Sequence, residues 1–273
     1  MELRAVTFDY WDTLYEGTTK PERVELRRAA IRTLLGAIGH EIPDEQFVAL
    51  YRTAAIEADR WWREEQRGYT TQDRIRWLLA RLDVERPADC QHVAAAERAI
   101  DDSLLAWPPP LLPGAGDGIA RLASAYTLGI ISDTGFASGR AQDRLLERDQ
   151  LLGSFAATVY SMDIGHAKPR PEPFAAALRA LGSAPAETLH VGDNERTDVR
   201  GALAAGMRAV RVDIVRTQGP SAAEFVARSF DSNSPPQVIV VPDGSFTSRA
   251  TAACASLTKV PMSRPRTFMR TPM

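Results

Sequence analysis

The sequence predicts an α/β protein: a doubly wound parallel sheet, interrupted directly after its first strand by a bundle of helices. Three observations carry this. Short apolar runs bounded by polar residues recur at 3–8, 127–131, 157–160, 188–191 and 208–212, as the strands of a buried parallel sheet do. Helical stretches separate the later runs, at about 115–125, 138–149, 172–181 and 197–205, and such alternation is the pattern of a sheet covered on both faces. Between the first run and the second, residues 18–107 read almost entirely as helix.

The elements follow in order. Residues 3–8 (Leu-Arg-Ala-Val-Thr-Phe) form the first strand, and Asp9 comes at once after it. A first helix places Val24, Ile31, Leu34, Leu35 and Ile38 on one face, with Arg27 as a polar lapse and Gly39 as its stop. A second carries Phe47, Leu50, Tyr51, Ala54, Ala58, Trp61 and Trp62. A third carries Ile75, Leu78, Leu79 and Leu82, opened by Thr70 and Asp73 as a capping pair. A fourth runs from about 87 to 105. Four amphipathic helices in succession predict a small bundle. The run Trp107-Pro108-Pro109-Pro110 ends it, because proline cannot continue a helix. The expected division is an α/β core of residues 1–17 and 108–257, an inserted helical domain of 18–107, and a disordered tail of 258–273. After Asp213 the periodicity weakens: 216–236 reads as a loop with one short helix, and 237–241 as an edge strand.

Composition narrows the function. The chain has 273 residues, 44% hydrophobic and 25% charged, which suffices for a full core without disulfide or metal staples. Its formal net charge of −2 gives no global field for nucleic acid or an anionic membrane. The two cysteines, Cys90 and Cys254, lie far apart, as in a reducing compartment. No apolar run reaches the length of a membrane span, and the first residues lack a signal peptide's apolar stretch, so the expected setting is cytoplasmic.

In an open parallel sheet, ligands bind beyond the carboxyl ends of the strands. There the sequence delivers Asp9, the run Ser132-Asp133-Thr134-Gly135, Lys168 in a turn-rich segment, and Gly192-Asp193-Asn194 with Asp198 five residues after Asp193. Carboxylates gathered at one point repel each other and call for a hard cation, for which magnesium is suited. A lysine and a hydroxyl beside them suit an anion such as phosphate.

The segments Phe8-Asp9-Tyr10-Trp11-Asp12-Thr13-Leu14, Ile131-Ser132-Asp133, Lys168-Pro169-Arg170-Pro171 and Gly192-Asp193-Asn194-Glu195-Arg196-Thr197-Asp198 resemble, in order, the four motifs of the haloacid dehalogenase superfamily of hydrolases. The likeness spans about residues 3–213, and the inserted helices look like that family's substrate-selecting cap. It implies a Rossmann-like core and magnesium-dependent hydrolysis of a small phosphorylated molecule. Asp9 would attack phosphorus and form an aspartyl-phosphate. Ser132, with its neighbour Asp133, and Lys168 would bind the transferring phosphoryl group. Asp9, Asp193, Asp198 and the backbone carbonyl of Trp11 would hold the metal, Asp198 directly or through its waters.

One position departs from the pattern. Phosphatases of this family usually carry a second Asp two residues after the nucleophile, as the acid that protonates the leaving group. Here that position is Trp11, and Asp12 follows it. Asp12 is either a displaced acid/base or a turn residue bonded to nearby backbone. The family's dehalogenases also lack that Asp, since halide leaves without protonation, but they lack the paired metal carboxylates too. Two rivals therefore stand beside the phosphatase: a metal-independent dehalogenase, and a non-catalytic binding protein on the same fold. Neither the substrate's identity nor the oligomeric state is written in the motifs.

Other features read as structural. His40, His92, His166 and His190 show no ligand spacing. Gly114, Gly116 and Gly118 follow Pro113 rather than a strand and read as a loop entering a helix, not a dinucleotide site. Trp61, Trp62 and Trp77 suit a bundle core, but one of the adjacent pair Trp61-Trp62 must face away from it, towards the cap interface.

Overall fold

The structure, a computed structural model, describes residues 2–84 and 90–230. Six strands form one parallel sheet: β1 (Ala5–Phe8), β2 (Thr127–Ser132), β3 (Phe155–Tyr160), β4 (Thr188–Gly192), β5 (Arg208–Val212) and β6 (Phe225–Ala227). Their order is β3-β2-β1-β4-β5-β6, so the chain reverses direction across the sheet at β1. Phe8 lies in register with Ile130 on one side and Val191 on the other. That register sets Asp9, the end of β2 and Asp193 side by side at one edge.

The sheet is buried on both faces, as the apolar runs predicted. Consecutive residues of a strand point to opposite faces. Thus Ile130 joins Val6, Phe8, Leu189 and Val210 in one apolar cluster, while Ile131 joins Val159, Phe174 and Ala209 in another. The helices between the strands, α5 (Ala115–Ala123), α6 (Gly139–Arg148) and α8 (Pro171–Leu181), fall where the periodicity put them, with a single turn α7 (Ser161–Ile164) after β3. Gly114 caps α5 at φ 77°, a conformation that glycine adopts without strain, so the glycine run is indeed a helix entrance. The expected helix over 197–205 starts earlier, as a π-helical turn over Glu195–Val199 that passes into α9 (Arg200–Ala204).

Between β1 and β2 the chain forms α1 (Pro21–Ala37), α2 (Asp44–Arg63), α3 (Thr71–Ala80) and α4 (Cys90–Ala106). They pack around an apolar cluster of their own that includes Ile31, Leu34, Phe47, Tyr51, Ile75 and Ile100. Thr70 and Asp73 make the reciprocal capping box. Gly39 follows α1 at φ 72°. The polar lapse at Arg27 has a cause: its guanidinium lies 4.7 Å from the ring centroid of Phe136, and its Nε donates to Ser103 Oγ. No helix among the described residues is long and apolar enough to cross a membrane.

The segment after Asp213 differs from expectation. No helix forms over 216–230; instead Phe225–Ala227 extends the sheet as β6, in parallel register with β5. Three residues are too few to show a periodicity, and the strand is defined by pairing with β5 rather than by its own pattern. The last part of the expected loop and helix, 231–236, the edge strand expected at 237–241, the tail at 258–273 and the core's limit at 257 lie outside the described residues, as does the start of the fourth helix before Cys90.

Candidate active site

Asp9, Lys168, Asp193 and Asp198 converge at the carboxyl edge of the sheet, each less than a tenth exposed. Lys168 Nζ lies 2.6 Å from Asp9 Oδ1, 2.7 Å from Asp198 Oδ1 and 2.8 Å from the Ile131 carbonyl oxygen. The second oxygen of Asp9 accepts from Thr13 Oγ1 at 3.4 Å. Oxygens of Asp9, Asp193 and Asp198 come within 4.8 Å of one another. Three carboxylates against one buried ammonium leave a surplus of negative charge, and an all-oxygen donor set of this kind fits a hard divalent cation.

The electrostatics follow from burial and proximity. Burial, with Asp198 and Asp193 adding to it, holds the Asp9 carboxyl well above the usual carboxylate range, although Lys168 opposes the shift. Burial and Asp198 push Asp193 up to about 6, against the pull of Arg216. Burial alone would also raise Asp198, but Lys168 and His190 outweigh it and hold that group low. For Lys168, burial favours the neutral amine, yet Asp198, Asp9 and Asp133 hold the ammonium firmly charged. His190, buried on β4, bonds Thr7 Oγ1 through Nδ1 at 2.9 Å and turns Nε2 towards Asp198 Oδ1 at 3.6 Å. Burial lowers its pKa. The structural reading of this histidine holds, and what it supports is a site carboxylate.

The loop after β1 turns sharply. Asp12 takes φ 57°, a left-handed conformation uncommon for a residue with a side chain. Its Oδ1 accepts the Gly17 N–H at 2.7 Å, and Oδ2 lies 3.3 Å from Arg216 Nη2. A Cβ on Gly17 would approach Asp12 Oδ1 to 2.8 Å, so a side chain there would displace the Asp12 carboxylate. The arrangement is that of a turn residue. Trp11 lines the cleft beside it.

Ser132 and Asp133 depart from their expected surroundings. Ser132 is 1% exposed, and its hydroxyl donates to Gln142 Oε1 at 2.8 Å; it is absent from the cleft wall. Asp133 lines the cleft, but its oxygens are taken: Oδ1 accepts the Lys168 backbone N–H at 3.0 Å and Oδ2 the Trp62 indole N–H at 2.8 Å. Of the adjacent tryptophans, Trp61 packs with Ala58 and Tyr69, while Trp62 reaches the core, as the sequence required of one of them. Backbone bonds join the same two parts of the chain. Gly68 N–H donates to Gly165 O at 3.0 Å and Ala167 N–H to Gln66 O at 2.9 Å, just ahead of Lys168.

These groups surround a cleft of about 370 Å³ between the sheet edge and the helical insertion. Its floor is Asp9, Lys168, Asp193 and Asp198; its far wall includes Ala55, Ala58, Trp62, Tyr69 and Phe136. Arg216 also enters it, from the loop after β5, with Nη2 2.6 Å from Asp193 Oδ2. Sequence reasoning missed Arg216, since a lone arginine in an aperiodic, turn-rich stretch carries no signal. Asn194, whose Oδ1 accepts the N–H groups of Arg196 and Thr197, was recoverable as a capping residue ahead of a helix.

Comparison with known proteins gives the family and the fold. The haloacid dehalogenase-like hydrolase family matches residues 3–206. A glyceraldehyde 3-phosphate phosphatase of Methanopyrus kandleri is 32% identical over 214 residues, covering 77% of this chain and 84% of that protein. Among solved structures, a 2-haloacid dehalogenase from Pseudomonas syringae pv. Tomato DC3000 is similar at 25% identity and a TM-score of 0.60, covering 84% of this chain and 95% of that one. A phosphatase from Thermococcus onnurineus shares the fold at 21% identity and a TM-score of 0.58, covering 84% and 94%.

Proposed function

The chain belongs to the haloacid dehalogenase-like hydrolases, and from that premise we propose that it is a magnesium-dependent phosphatase acting on a small phosphorylated metabolite. The observation that carries this reading is the convergence of Asp9, Asp193 and Asp198 within 4.8 Å, beside the ammonium of Lys168. Asp9, Asp193, Asp198 and the Trp11 carbonyl would hold the cation, and magnesium bound there supplies neutralisation of the phosphoryl charge.

The chain's own residues then divide the work. The Asp9 carboxylate attacks phosphorus; a P–O bond forms to Asp9 as the bond to the leaving oxygen breaks. Water hydrolyses the resulting aspartyl-phosphate, regenerating Asp9 and releasing phosphate. Lys168 fixes Asp9 and offsets charge on the transferring group. Asp133 acts by positioning Lys168 and Trp62 rather than by touching phosphate, and Ser132 would have to leave Gln142 to reach it. Residues 18–107 serve as the cap that selects substrate, in a cytoplasmic enzyme.

Trp11 puts no carboxylic acid on the leaving-group side, and Asp12 is held in its turn. The enzyme therefore favours leaving groups that depart without a proton, acyl phosphates above alkyl phosphates. The same residue favours a second reading, a dehalogenase, to which the similar Pseudomonas syringae structure adds weight. The acidic cluster weighs against it, because a halide displacement by Asp9 has no use for two further buried carboxylates. Phosphate release from a panel of acyl and alkyl phosphates, with magnesium and with chelator, tests the proposal. Magnesium-dependent release supports it. Chelator-resistant halide release from a 2-haloacid, without phosphate release, would replace it by the second reading.

A further inference from the structure

Three arginines lie buried in the helical insertion; Arg23 of α1 donates to the Thr18 carbonyl oxygen, and the other two share one aromatic ring. Arg74 of α3 is 8% exposed and Arg27 of α1 5%. Both lie against the ring of Phe136, with their central carbons 3.3 and 4.7 Å from its centroid. Arg27 has Ser103 Oγ as a partner for Nε. Arg74 Nε has no hydrogen-bond partner among the described residues. Asp101, the buried carboxylate whose charge reaches Arg27, is committed elsewhere: it accepts the backbone N–H and the hydroxyl of Ser138, at 2.9 and 2.6 Å, and pairs with Arg140 at 3.4 Å. Among the described residues neither arginine has a carboxylate within ion-pair range.

This arrangement is out of balance. A cation over an aromatic ring recovers only part of the penalty for burying an ion, and two like charges on one ring add repulsion. Buried charges are otherwise paired, so a buried arginine without an acid calls for an anion. There is room for one. A cavity of about 30 Å³ opens beside Arg74, bounded by Tyr51, Thr71, Ile75, Leu78, Ile100 and Phe136. That volume takes about two water-sized groups. It suits a halide or the head of a carboxylate, and is too small for a phosphate.

We propose that Arg74, with Arg27 behind the shared ring, forms a buried binding site for a small monoanion, a halide or a carboxylate group, inside the helical insertion. Arg74 supplies the charge, and Tyr51 and Thr71 are among the residues that line the same space. Two sources of the anion fit. It is taken from solution and fixes the bundle, or it is carried by the substrate, because Phe136 is a wall of both this cavity and the catalytic cleft.

The first test does not depend on the reaction. Melting of the full chain is followed against sodium chloride, bromide and acetate, with ionic strength held constant by a bulky sulfonate. The wild type is expected to show a saturable rise of its midpoint, and Arg74→Met to lose it. The dependence is read rather than the midpoint, since removing a buried charge alters basal stability by itself. Equal dependence in both proteins overturns the site. If Arg74→Met does not fold, anomalous scattering from bromide-soaked wild-type crystals decides: a peak beside Arg74 supports the site, and its absence overturns it. The second test separates the sources, using two phosphate esters that differ only in a terminal carboxylate. A KM that rises about tenfold or more in Arg74→Met for the carboxylate ester alone assigns the anion to substrate. Unchanged KM values together with a lost anion dependence assign it to solution. If the wild type hydrolyses neither these esters nor acyl phosphates, the phosphatase reading fails, and the melting result stands by itself.

Discussion

Trp62 of the helical insertion donates its indole N–H to Asp133 at the end of β2, at 2.8 Å, while the other oxygen of Asp133 holds the Lys168 backbone. One side chain thus ties the wall of the cleft to the lysine on its floor. Trp62→Phe keeps the ring and deletes the bond. A hydrogen bond to a charged acceptor contributes about 1.5–3 kcal/mol. The variant is expected to lose roughly tenfold or more in kcat/KM and to expose 18–107 to faster limited proteolysis. Unchanged kinetics and digestion would show that this contact does not govern the cleft.

Asp9→Asn removes the nucleophile while preserving the shape of the side chain. Lys168 then keeps Asp198 as its carboxylate partner at 2.7 Å, so the fold is expected to survive, with a melting midpoint close to wild type. Turnover should fall by several orders of magnitude, as when an essential nucleophile is removed. Near-normal phosphate release would refute the role given to Asp9.

The acidic cluster predicts a metal effect that needs no substrate. A cation binding only the folded chain stabilises it by about 2.7 kcal/mol at a hundredfold excess over its Kd. Magnesium is expected to raise the wild-type melting midpoint, and Asp193→Asn and Asp198→Asn to weaken that rise. Calorimetric titration with magnesium checks the same ranking, and identical responses from all three proteins would exclude this metal site.

Asp12 offers a sharper discrimination. Loss of a general acid costs about 10²–10⁴-fold in rate. As a turn residue, with Oδ1 on the Gly17 N–H, Asp12 should tolerate replacement by Asn, which retains that acceptor. The expected outcome is a rate within a few fold of wild type for both acyl and alkyl phosphates. A large loss confined to alkyl phosphates would instead make Asp12 the displaced acid.

Gly68 has no room for a side chain: a Cβ there would lie 1.8 Å from the Ser161 carbonyl oxygen, which is backbone and cannot step aside. Gly68→Ala should destabilise the protein by about 1–3 kcal/mol, the usual cost of overpacking, read as a lower urea midpoint. It should also lower kcat, because the strained segment runs against 165–167 and so into Lys168.

Much of this protein was determined by local sequence. Five strands, their intervening helices and the four-helix insertion were legible because each element's apolar period is written in its own residues, and the ends of β1 and β4 place Asp9 and Asp193 at one edge of any parallel sheet built from them. The capping pair of Thr70 and Asp73 was equally local. Tertiary structure alone decided the rest. It made a strand of Phe225–Ala227 through pairing with β5, brought Arg216 onto Asp193, gave the Ser132 hydroxyl to Gln142, and chose Trp62 rather than Trp61 to meet Asp133. It also set Arg27 and Arg74 on one ring supplied by the loop after β2. The physical reason is range: periodicity records which face of an element is buried, whereas the partner of a loop or interface side chain is set by packing against segments distant in the chain, and no local pattern encodes that meeting.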